Sequence, residues 1–544
     1  MPKIVSVAHM RRIERAADAA GWSYEQMMLR AGGAVAAEVE ARLGAPAGRS
    51  AMILVGSGNN GGDGLVAGCR LREAGWEVAA VAVSPRSPAD PHAARLLERG
   101  GRIVSLQAEP GALDALTTSC NVLIDALLGT GFRLPLRPDL ADVLSRVAGT
   151  LARRARPPLL VAVDCPSGLD CDTGEKAPEA LKVDVTVTLG AAKPGLLRGA
   201  GAHLSGEIVV GDIGLDSEMP ELREVQMELV DAKTAAAWLP RRESDAHKGT
   251  FGKIVVAAGS VNYPGSAALA GRAAYRVGAG LVCLAVPGGV QLPLVSAIPE
   301  AIWAILPHEM GVVNESAAEV LRESSEGARA LVLGPGLGRE ETTRRFLQRL
   351  LEPGEVVPRG HIGFLHPSNE AAAEARPLPQ LVLDADGLRH LAGLDGWQDR
   401  LPKNSILTPH PGEMSALTGL PVETVQANRE GIAREKAAEW GQIVVLKGAN
   451  TVVAAPDGRA WVLPFATAAL AKAGTGDVLA GAIGGLCAQG VAAAEAAVLG
   501  AYLHGRAGVV AAERAGTTAG VLASEVADLL AIVIAELERV PGSS

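Results

Sequence analysis

From Arg49 onward the chain alternates short, wholly apolar runs with stretches whose apolar residues recur at helical spacing. AMILVGSG precedes GLVAGCRLREAG, WEVAAVAV precedes DPHAARLLERG, and NVLIDALLG, PLLVAVDCPSG and VDVTVTLG continue the rhythm. Runs of this length without polar alternation suit strands covered on both faces. The pattern therefore predicts a parallel sheet between two helical layers. Before it, MPKIVSVAHMRRIERAADAAG has the spacing of an amphipathic helix and lacks the apolar core of a secretory signal.

A polar, proline-bearing stretch, LPRRESDAHKGTFG, ends this series. A second one follows with KIVVAAGS, GLVCLAVP, RALVLGPG, PQLVLDADG, SILTPHPGE, QIVVLKGAN, TVVAAP and AWVLP. Two α/β domains of three layers each fit this better than one. The boundary is expected between Leu215 and Asp245, giving domains of 1–225 and 226–544. No internal repeat is seen. Glu352 to Pro379 has two histidines and five prolines without periodicity and reads as an insertion of unassigned role. Val277 to Pro299 is uncharged over 23 residues, but Pro287, Pro293 and Pro299 make it strands and turns rather than a membrane helix.

Composition narrows the partners. The chain has 544 residues, 48% hydrophobic and 20% charged, enough apolar material for large cores. With a formal net charge of -9 and 3% aromatic residues, it has neither the electrostatic footprint nor the stacking platforms of a nucleic-acid binder. Glycine is abundant, 65 residues, and falls at the ends of apolar runs, where ligand loops form. Six scattered cysteines without a CxxC pair disfavour zinc and disulfide frameworks, so a cytoplasmic protein with free thiols is expected. A small-molecule partner, no membrane and a homo-oligomeric state are the corresponding expectations.

Gly56-Ser57-Gly58-Asn59-Asn60-Gly61-Gly62-Asp63-Gly64 follows the strand AMILV and opens a helix. The string satisfies GxGxxG, which would set a pyrophosphate against helix N-terminal amides. The next strand, however, ends at Ser84-Pro85-Arg86 without an acidic residue for a ribose diol, and no Walker lysine is present. More specific is GNNGGDG combined with three later strand ends: Asp125 in LIDALLGTGFRLP, Asp164 in VAVDCPSGLD and Lys193 in LGAAKPGL.

This set resembles the epimerase domain of bifunctional NAD(P)H-hydrate repair enzymes, over roughly residues 6 to 215, and implies a Rossmann-like sheet. The resemblance implies a substrate whose nicotinamide ring is hydrated at C6, with R and S epimers interconverted. It assigns Asn59, Asn60, Gly61, Gly62 and Asp63, and Gly129, Thr130, Gly131, Phe132, Arg133, Leu134 and Pro135, to dinucleotide contact. Asp164 is assigned to the reacting ring, and Asn60, Asp125 and Ser167 to potassium. Oxygen donors suit a hard cation, and a carboxylate at a strand end can move a proton. Taken alone, Asp164 reads as a turn or cap carboxylate, and only the whole motif favours catalysis. Lys193 reads either as a phosphate partner or as part of a solvated turn. Cys165 and Cys171 read as structural thiols.

The second series carries HKGTFG from His247, GSVNYPGSAA from Gly259, GPGLG from Gly334, Asp384-Ala385-Asp386, TPHPGE from Thr408, KGANT from Lys447, and Ala473-Gly474-Thr475-Gly476-Asp477 before a helix. Together these resemble the ribokinase-like superfamily, in its ADP-dependent NAD(P)H-hydrate dehydratase branch, from about Ala232 to Leu537. The resemblance implies that ADP phosphorylates the 6-hydroxyl of the S epimer and that phosphate then leaves. A phosphate ester is a far better leaving group than hydroxide, and the ring nitrogen can push it out.

Asp477 is then the base, with the Gly474, Thr475 and Gly476 amides facing the moving phosphoryl group. Lys447, Gly448, Ala449, Asn450, Thr451 and Gly476 are implied to hold the adenine nucleotide. Ala268, Gly336, His410 and Asp477 are implied to line the hydrated-nicotinamide side, and magnesium to bridge the diphosphate. His410, flanked by prolines, reads as a substrate contact or a hydrogen-bonded turn residue. Asp384 and Asp386 share one face if extended, and read as a carboxylate pair, a structural element or a magnesium-water site. The rival overall reading is a small-molecule kinase fused to a dinucleotide sensor.

Overall fold

The computed structural model describes residues 1–83, 90–352 and 377–540. Ser84-Pro85-Arg86 and all but the edges of the Glu352 to Pro379 stretch lie outside the described residues. The chain divides into two compact units, Met1–Leu229 and Val230–Ser544. Among the described residues, no helix is long and apolar enough to cross a membrane.

The first unit is a seven-stranded, all-parallel sheet. Its spatial order is Arg102–Ser105, Glu77–Ala82, Ser50–Val55, Val122–Ala126, Leu159–Val163, Val185–Leu189, Glu207–Gly211. Along Ser50–Val55, alternate side chains feed opposite cores, as the strand period of two requires. Ala51, Ile53 and Val55 pack with Met27, Val35 and Leu65 of the helices on one face, while Met52 and Leu54 pack with Leu113, Leu140 and Leu144 on the other. Chain order reverses between Ser50–Val55 and Val122–Ala126, and that reversal opens the ligand crevice of a doubly wound sheet. The short strands Arg102–Ser105 and Glu207–Gly211 escape the apolar-run pattern because they lie at the two edges and are half exposed.

In the second unit the parallel order is Ile302–Leu306, Leu281–Pro287, Lys253–Ala257, Ala330–Leu333, Gln380–Leu383, Ile406–Leu407, Ile443–Leu446. Val452–Ala454 and Ala460–Val462 then pair antiparallel, because a short turn rather than a helix joins each to its predecessor. Val277 to Pro299 departs from the strands-and-turns expectation. After Leu281–Pro287 the chain forms the helix Gly288–Val295, with Pro293 inside it.

Helix Thr475–Ala488 is buried almost throughout, and its glycines are the reason it can be. A Cβ on Gly481 would stand 2.1 Å from the Ala270 carbonyl oxygen of the neighbouring helix Gly265–Arg276. That approach fixes where the helix mouth, Gly474 to Asp477, is presented.

Candidate functional site

In the first unit the glycine turn lies at the switch point. A Cβ on Gly56 would fall 1.9 Å from Leu127 O, so only glycine lets the turn pass the neighbouring strand's exit. Helix Asn59–Glu73 is capped by Gly58, which brings no side chain to the helix mouth.

Asn60, Asp125 and Ser167 are brought together. Asn60 Nδ2 donates to Leu128 O at 3.0 Å, Leu128 N donates to Ser167 Oγ at 2.9 Å, and Ser167 donates to Asp125 from its N (2.8 Å) and its Oγ (2.6 Å). Asp125 is fully buried, and burial pushes its carboxyl up while the Ser167 and Leu127 donors pull it down. The Gly129 to Pro135 loop follows, with Thr130 O reached by Arg11 Nη2 at 3.4 Å.

Asp164 follows strand Leu159–Val163 with φ +66°, a conformation that costs a non-glycine residue about 1–3 kcal/mol and collects at functional positions. Its carboxylate accepts from Leu189 N (3.1 Å), Thr188 Oγ1 (3.3 Å) and Lys193 Nζ (2.5 Å). Lys193 is 1% exposed, which rules out the solvated-turn reading; it is a buried counter-charge for Asp164. Cys165 and Cys171 are buried, and the Cys165 thiol is pushed well up by its hydrogen bond with Cys171 and by burial, as an inert structural thiol should be.

Two further carboxyls feel the charges of this pair. Asp63, in the first helical turn, is pushed well up by burial and then by the charges of Asp164 and Glu14. Glu14, on helix Val7–Ala19, is raised by burial and by Asp164, against the pull of Lys193 and Arg11. The sequence motifs gave no hint of Glu14, which reads as one more polar position of an amphipathic helix.

In the second unit, Asp384, Thr408 and Lys447 leave the carboxyl ends of three adjacent strands. Lys447 Nζ lies 2.5 Å from Asp384 Oδ1 and 3.7 Å from Glu413 Oε2, and Thr408 Oγ1 donates to Asp384 Oδ1 at 2.7 Å. Burial alone would lower the lysine; the two carboxylates overcome it and hold Lys447 above its ordinary range.

Asp384 and Asp386 do not act as an extended pair. Ala385 between them has φ +50°, and Asp386 turns away to accept from Gly338 N at 3.1 Å, bracing the GPGLG turn. Asp384 Oδ2 has no hydrogen-bond partner and is 3.6 Å from where a Cβ on Gly476 would sit. His410 is a turn residue: its Nδ1 accepts from Gly412 N (3.0 Å) and Glu413 N (3.3 Å), which leaves Nε2 as the N–H toward Glu413 Oε1 at 3.2 Å.

Asp384, His410, Glu413 and Lys447 line a cavity of about 450 Å³, within the range of small-molecule sites. Among the residues singled out from sequence, His410, Lys447, Gly448, Ala449, Thr451, Gly474, Thr475, Gly476 and Asp477 line it. Asp477 lies in the first turn of helix Thr475–Ala488, and its carboxyl is pushed up to about 6 by burial and by Asp384, against a hydrogen bond from Ser266 and the charge of Lys447.

Gly336, Ala268 and Asn450 are not in the cavity lining. A Cβ on Gly336 would lie 2.7 Å from Ser266 Oγ, so Gly336 bears on Asp477 through that serine. Ala268 packs on the core, and Asn450 is a buried turn residue with φ +50° whose N donates to Phe465 O at 2.9 Å. His504, in the apolar helix Ala493–Ala515, also lines the cavity, and burial pulls its imidazole down to about 4. Ser266 belongs to the GSVNYPGSAA stretch, which marks no role for it, and His504 carries no motif; packing brings the first to Asp477 and the second to the cavity.

Residues 254–531 match the NAD(P)H-hydrate dehydratase family, and residues 24–195 match the family described as YjeF-related protein N-terminus. The chain is 36% identical over 484 residues to the bifunctional NAD(P)H-hydrate repair enzyme Nnr of Moorella thermoacetica, covering 87% of this chain and 85% of the relative. The chain belongs to the bifunctional NAD(P)H-hydrate repair enzyme family. Its Escherichia coli member is 34% identical over 514 residues, covering 93% of this chain and 89% of the relative. Among solved structures, an ADP/ATP-dependent NAD(P)H-hydrate dehydratase of Bacillus subtilis co-crystallised with ATP and magnesium is 31% identical. It covers 57% of this chain and 98% of its own, with a TM-score of 0.45. As a member of this repair family the chain carries two candidate sites, one in each unit, and the two family matches fall one on each.

Proposed function

We propose that the chain repairs C6-hydrated NADH and NADPH in two steps. The first unit interconverts the R and S epimers, and the second dehydrates the S epimer with ADP, releasing AMP and phosphate. The observation that carries this reading is the position of Asp477. A carboxyl with its pKa near 6 stands at a glycine-lined helix mouth, in the same cavity as Lys447.

A base must be ionised at working pH yet basic enough to take a hydroxyl proton, and a carboxyl near 6 meets both demands better than an ordinary one. Asp477 takes the proton of the 6-hydroxyl as that oxygen attacks the terminal phosphorus of ADP. The Gly474, Thr475 and Gly476 amides face the charge that develops on the phosphoryl oxygens. Lys447, held by Asp384 and Glu413, supplies a fixed positive charge for the diphosphate, with Gly448, Ala449, Asn450 and Thr451 shaping the nucleotide side. His410 belongs to the hydrated-ring side, with Gly336 acting on Asp477 through Ser266 and Ala268 packed on the core. Ester formation is followed by elimination, in which the ring nitrogen pair expels phosphate and C5 loses a proton.

Magnesium fits as an ion held mainly by the diphosphate and water. The partnerless Asp384 Oδ2 is one available donor, and among the described residues no cluster of three acidic, histidine or cysteine side chains could hold a metal ion alone. Bound there, it would neutralise phosphoryl charge. In the first unit, potassium fits Asn60, Asp125 and Ser167: among the described residues the buried Asp125 carboxylate is met by the neutral donors Leu127 N, Ser167 N and Ser167 Oγ, which leaves a charge for a hard monovalent cation to balance. Asp164 moves the proton at the hydrated ring, with the Asn59 to Asp63 turn and the Gly129 to Pro135 loop holding the dinucleotide. Cytoplasmic location and self-association belong to the same proposal.

The test is recovery of absorbance at the reduced-nicotinamide band when hydrated NADH is offered with ADP or with ATP. Recovery with ADP is expected. A stable phosphate ester without recovery would replace the dehydratase with a kinase.

A further inference from the structure

Part of the cavity wall in the second unit is apolar: Leu463, Phe465, Leu470, Ala501 and Gly505 line it, with His504 set among them. Helix Ala493–Ala515 comes close enough to form this wall because of two glycines. A Cβ on Gly505 would lie 2.3 Å from Phe465 Cδ2, and one on Gly508, a turn beyond His504, 2.6 Å from Leu470 Cγ. Tyr502 braces the Phe465 ring edge-on, with centroids 5.1 Å apart at 71°. Ala501 and Gly508 share the helix face of His504, so the imidazole belongs to the wall that carries Phe465 and Leu470.

Other polar side chains of the lining are already engaged. Thr451 Oγ1 donates to Gly448 O (3.0 Å), Thr475 Oγ1 to Leu470 O (2.8 Å) and Lys472 O (2.9 Å), and Lys472 Nζ to Ala519 O (2.5 Å). His504 is buried, and among the described residues its Nε2 has no hydrogen-bond partner. Burial keeps the ring neutral near pH 7, so it carries one N–H and one lone pair. The Thr475 backbone carbonyl draws on the N–H, and the lone pair is left without a donor.

A nitrogen lone pair repels a phosphoryl oxygen, and the phosphates already have Lys447 and the helix-mouth amides. It calls for a ligand N–H or O–H. ADP offers the ribose hydroxyls and the 6-amino group of adenine, and an apolar wall holding one unspent acceptor suits a flat base better than a sugar. Resting on the ADP reading of this cavity, we propose that His504 selects adenine in the phosphoryl donor, its ring lone pair accepting from the 6-amino group while Phe465 and Leu470 cover the base. A base with a carbonyl at C6 would set an oxygen lone pair against the ring nitrogen and leave it still without a donor, and a buried polar group left unpaired is what makes such a site selective.

The test uses the full chain and the S form of hydrated NADH, following absorbance recovery with ADP, IDP or 2′-deoxy-ADP. The parent is expected to prefer ADP to IDP by about thirtyfold or more in kcat/KM. His504→Leu, which keeps the wall apolar and removes the acceptor, should bring that ratio below about fivefold, mainly through the KM for ADP, and leave the ratio of ADP to 2′-deoxy-ADP as in the parent. His504→Gln can turn its amide oxygen to an amine or its NH₂ to a carbonyl, and should raise kcat/KM for IDP about tenfold, which a loss of packing does not produce. A parent that uses IDP as well as ADP, a Leu variant that keeps the parent's ratio, a Gln variant without a gain on IDP, or a changed 2′-deoxy ratio would overturn the assignment. If the parent chain restores no NADH with ADP, the ADP reading of the cavity falls instead.

Discussion

Lys193 Nζ lies 2.5 Å from Asp164 Oδ1, and the lysine that makes this contact is 1% exposed. A buried pair of this kind is costly to break from one side, because the remaining charge stays buried and unpaired. Lys193→Met should therefore abolish epimerisation and lower the stability of the first unit by about 3–5 kcal/mol. Chemical denaturation followed by Trp76 or Trp22 fluorescence checks the second effect. A variant of unchanged stability would mean that the lysine is not the counter-charge the geometry makes it.

Asp477→Ala should abolish dehydration and spare epimerisation, and Asp164→Ala should do the reverse. Chiral chromatography of hydrated NADH, with and without ADP, reads both activities in one sample. Loss of both in either variant would show that the two sites are not independent.

The pH dependence of dehydration follows from Asp477. Its carboxyl titrates at about 6 in the folded chain against an ordinary 3.8, so the base is lost as pH falls through 6, and kcat should drop about tenfold per unit below that. For stability the sign is opposite to that of a paired carboxylate. The folded state binds this proton more tightly than the unfolded one, so ionised Asp477 is a penalty at pH 7 that disappears below about 3.8. Asp477→Asn should accordingly stabilise the second unit near neutrality, by on the order of 1–3 kcal/mol, and have little effect near pH 4. Melting curves at the two pH values distinguish these outcomes.

Gly481→Val tests how the helix mouth is positioned. The added Cβ would meet the Ala270 carbonyl oxygen at 2.1 Å, a backbone atom that cannot rotate away. A loss of about 3 kcal/mol or more is expected in the second unit, with dehydration falling and epimerisation kept. A urea midpoint unchanged from the parent would remove this packing from the account.

Potassium removal is the corresponding test in the first unit. Exchange of potassium for a bulky organic cation should slow epimerisation and lower the melting temperature of that unit. Asp125→Asn should make both insensitive to potassium, since the buried charge that needs balancing is gone. A parent chain indifferent to the cation would leave Asp125 a purely structural carboxylate.

The apolar runs determined the two α/β units and most of their strands, because a strand buried on both faces must be written almost entirely in aliphatic residues. Glycine turns at the ends of those runs likewise marked the strand exits where the candidate sites lie. The half-exposed edge strands and the helix after Pro287 were not legible, since short or half-exposed elements leave no distinctive periodicity, and TVVAAP and AWVLP read as strands without revealing their antiparallel direction.

At the sites, motifs located Asp164, Lys447 and Asp477 because their neighbours along the chain are unusual. Their partners had no such marking. Glu14 and His504 sit in ordinary helical sequence, Ser266 lay within a motif without a role of its own, and Lys193, Asp384 and Asp386 remained ambiguous until their contacts were known. Burial and charge compensation are properties of the packed neighbourhood. Whether a lysine faces water or a carboxylate, and whether two aspartates one residue apart face each other or diverge at a positive φ, was settled only when distant strands were brought side by side.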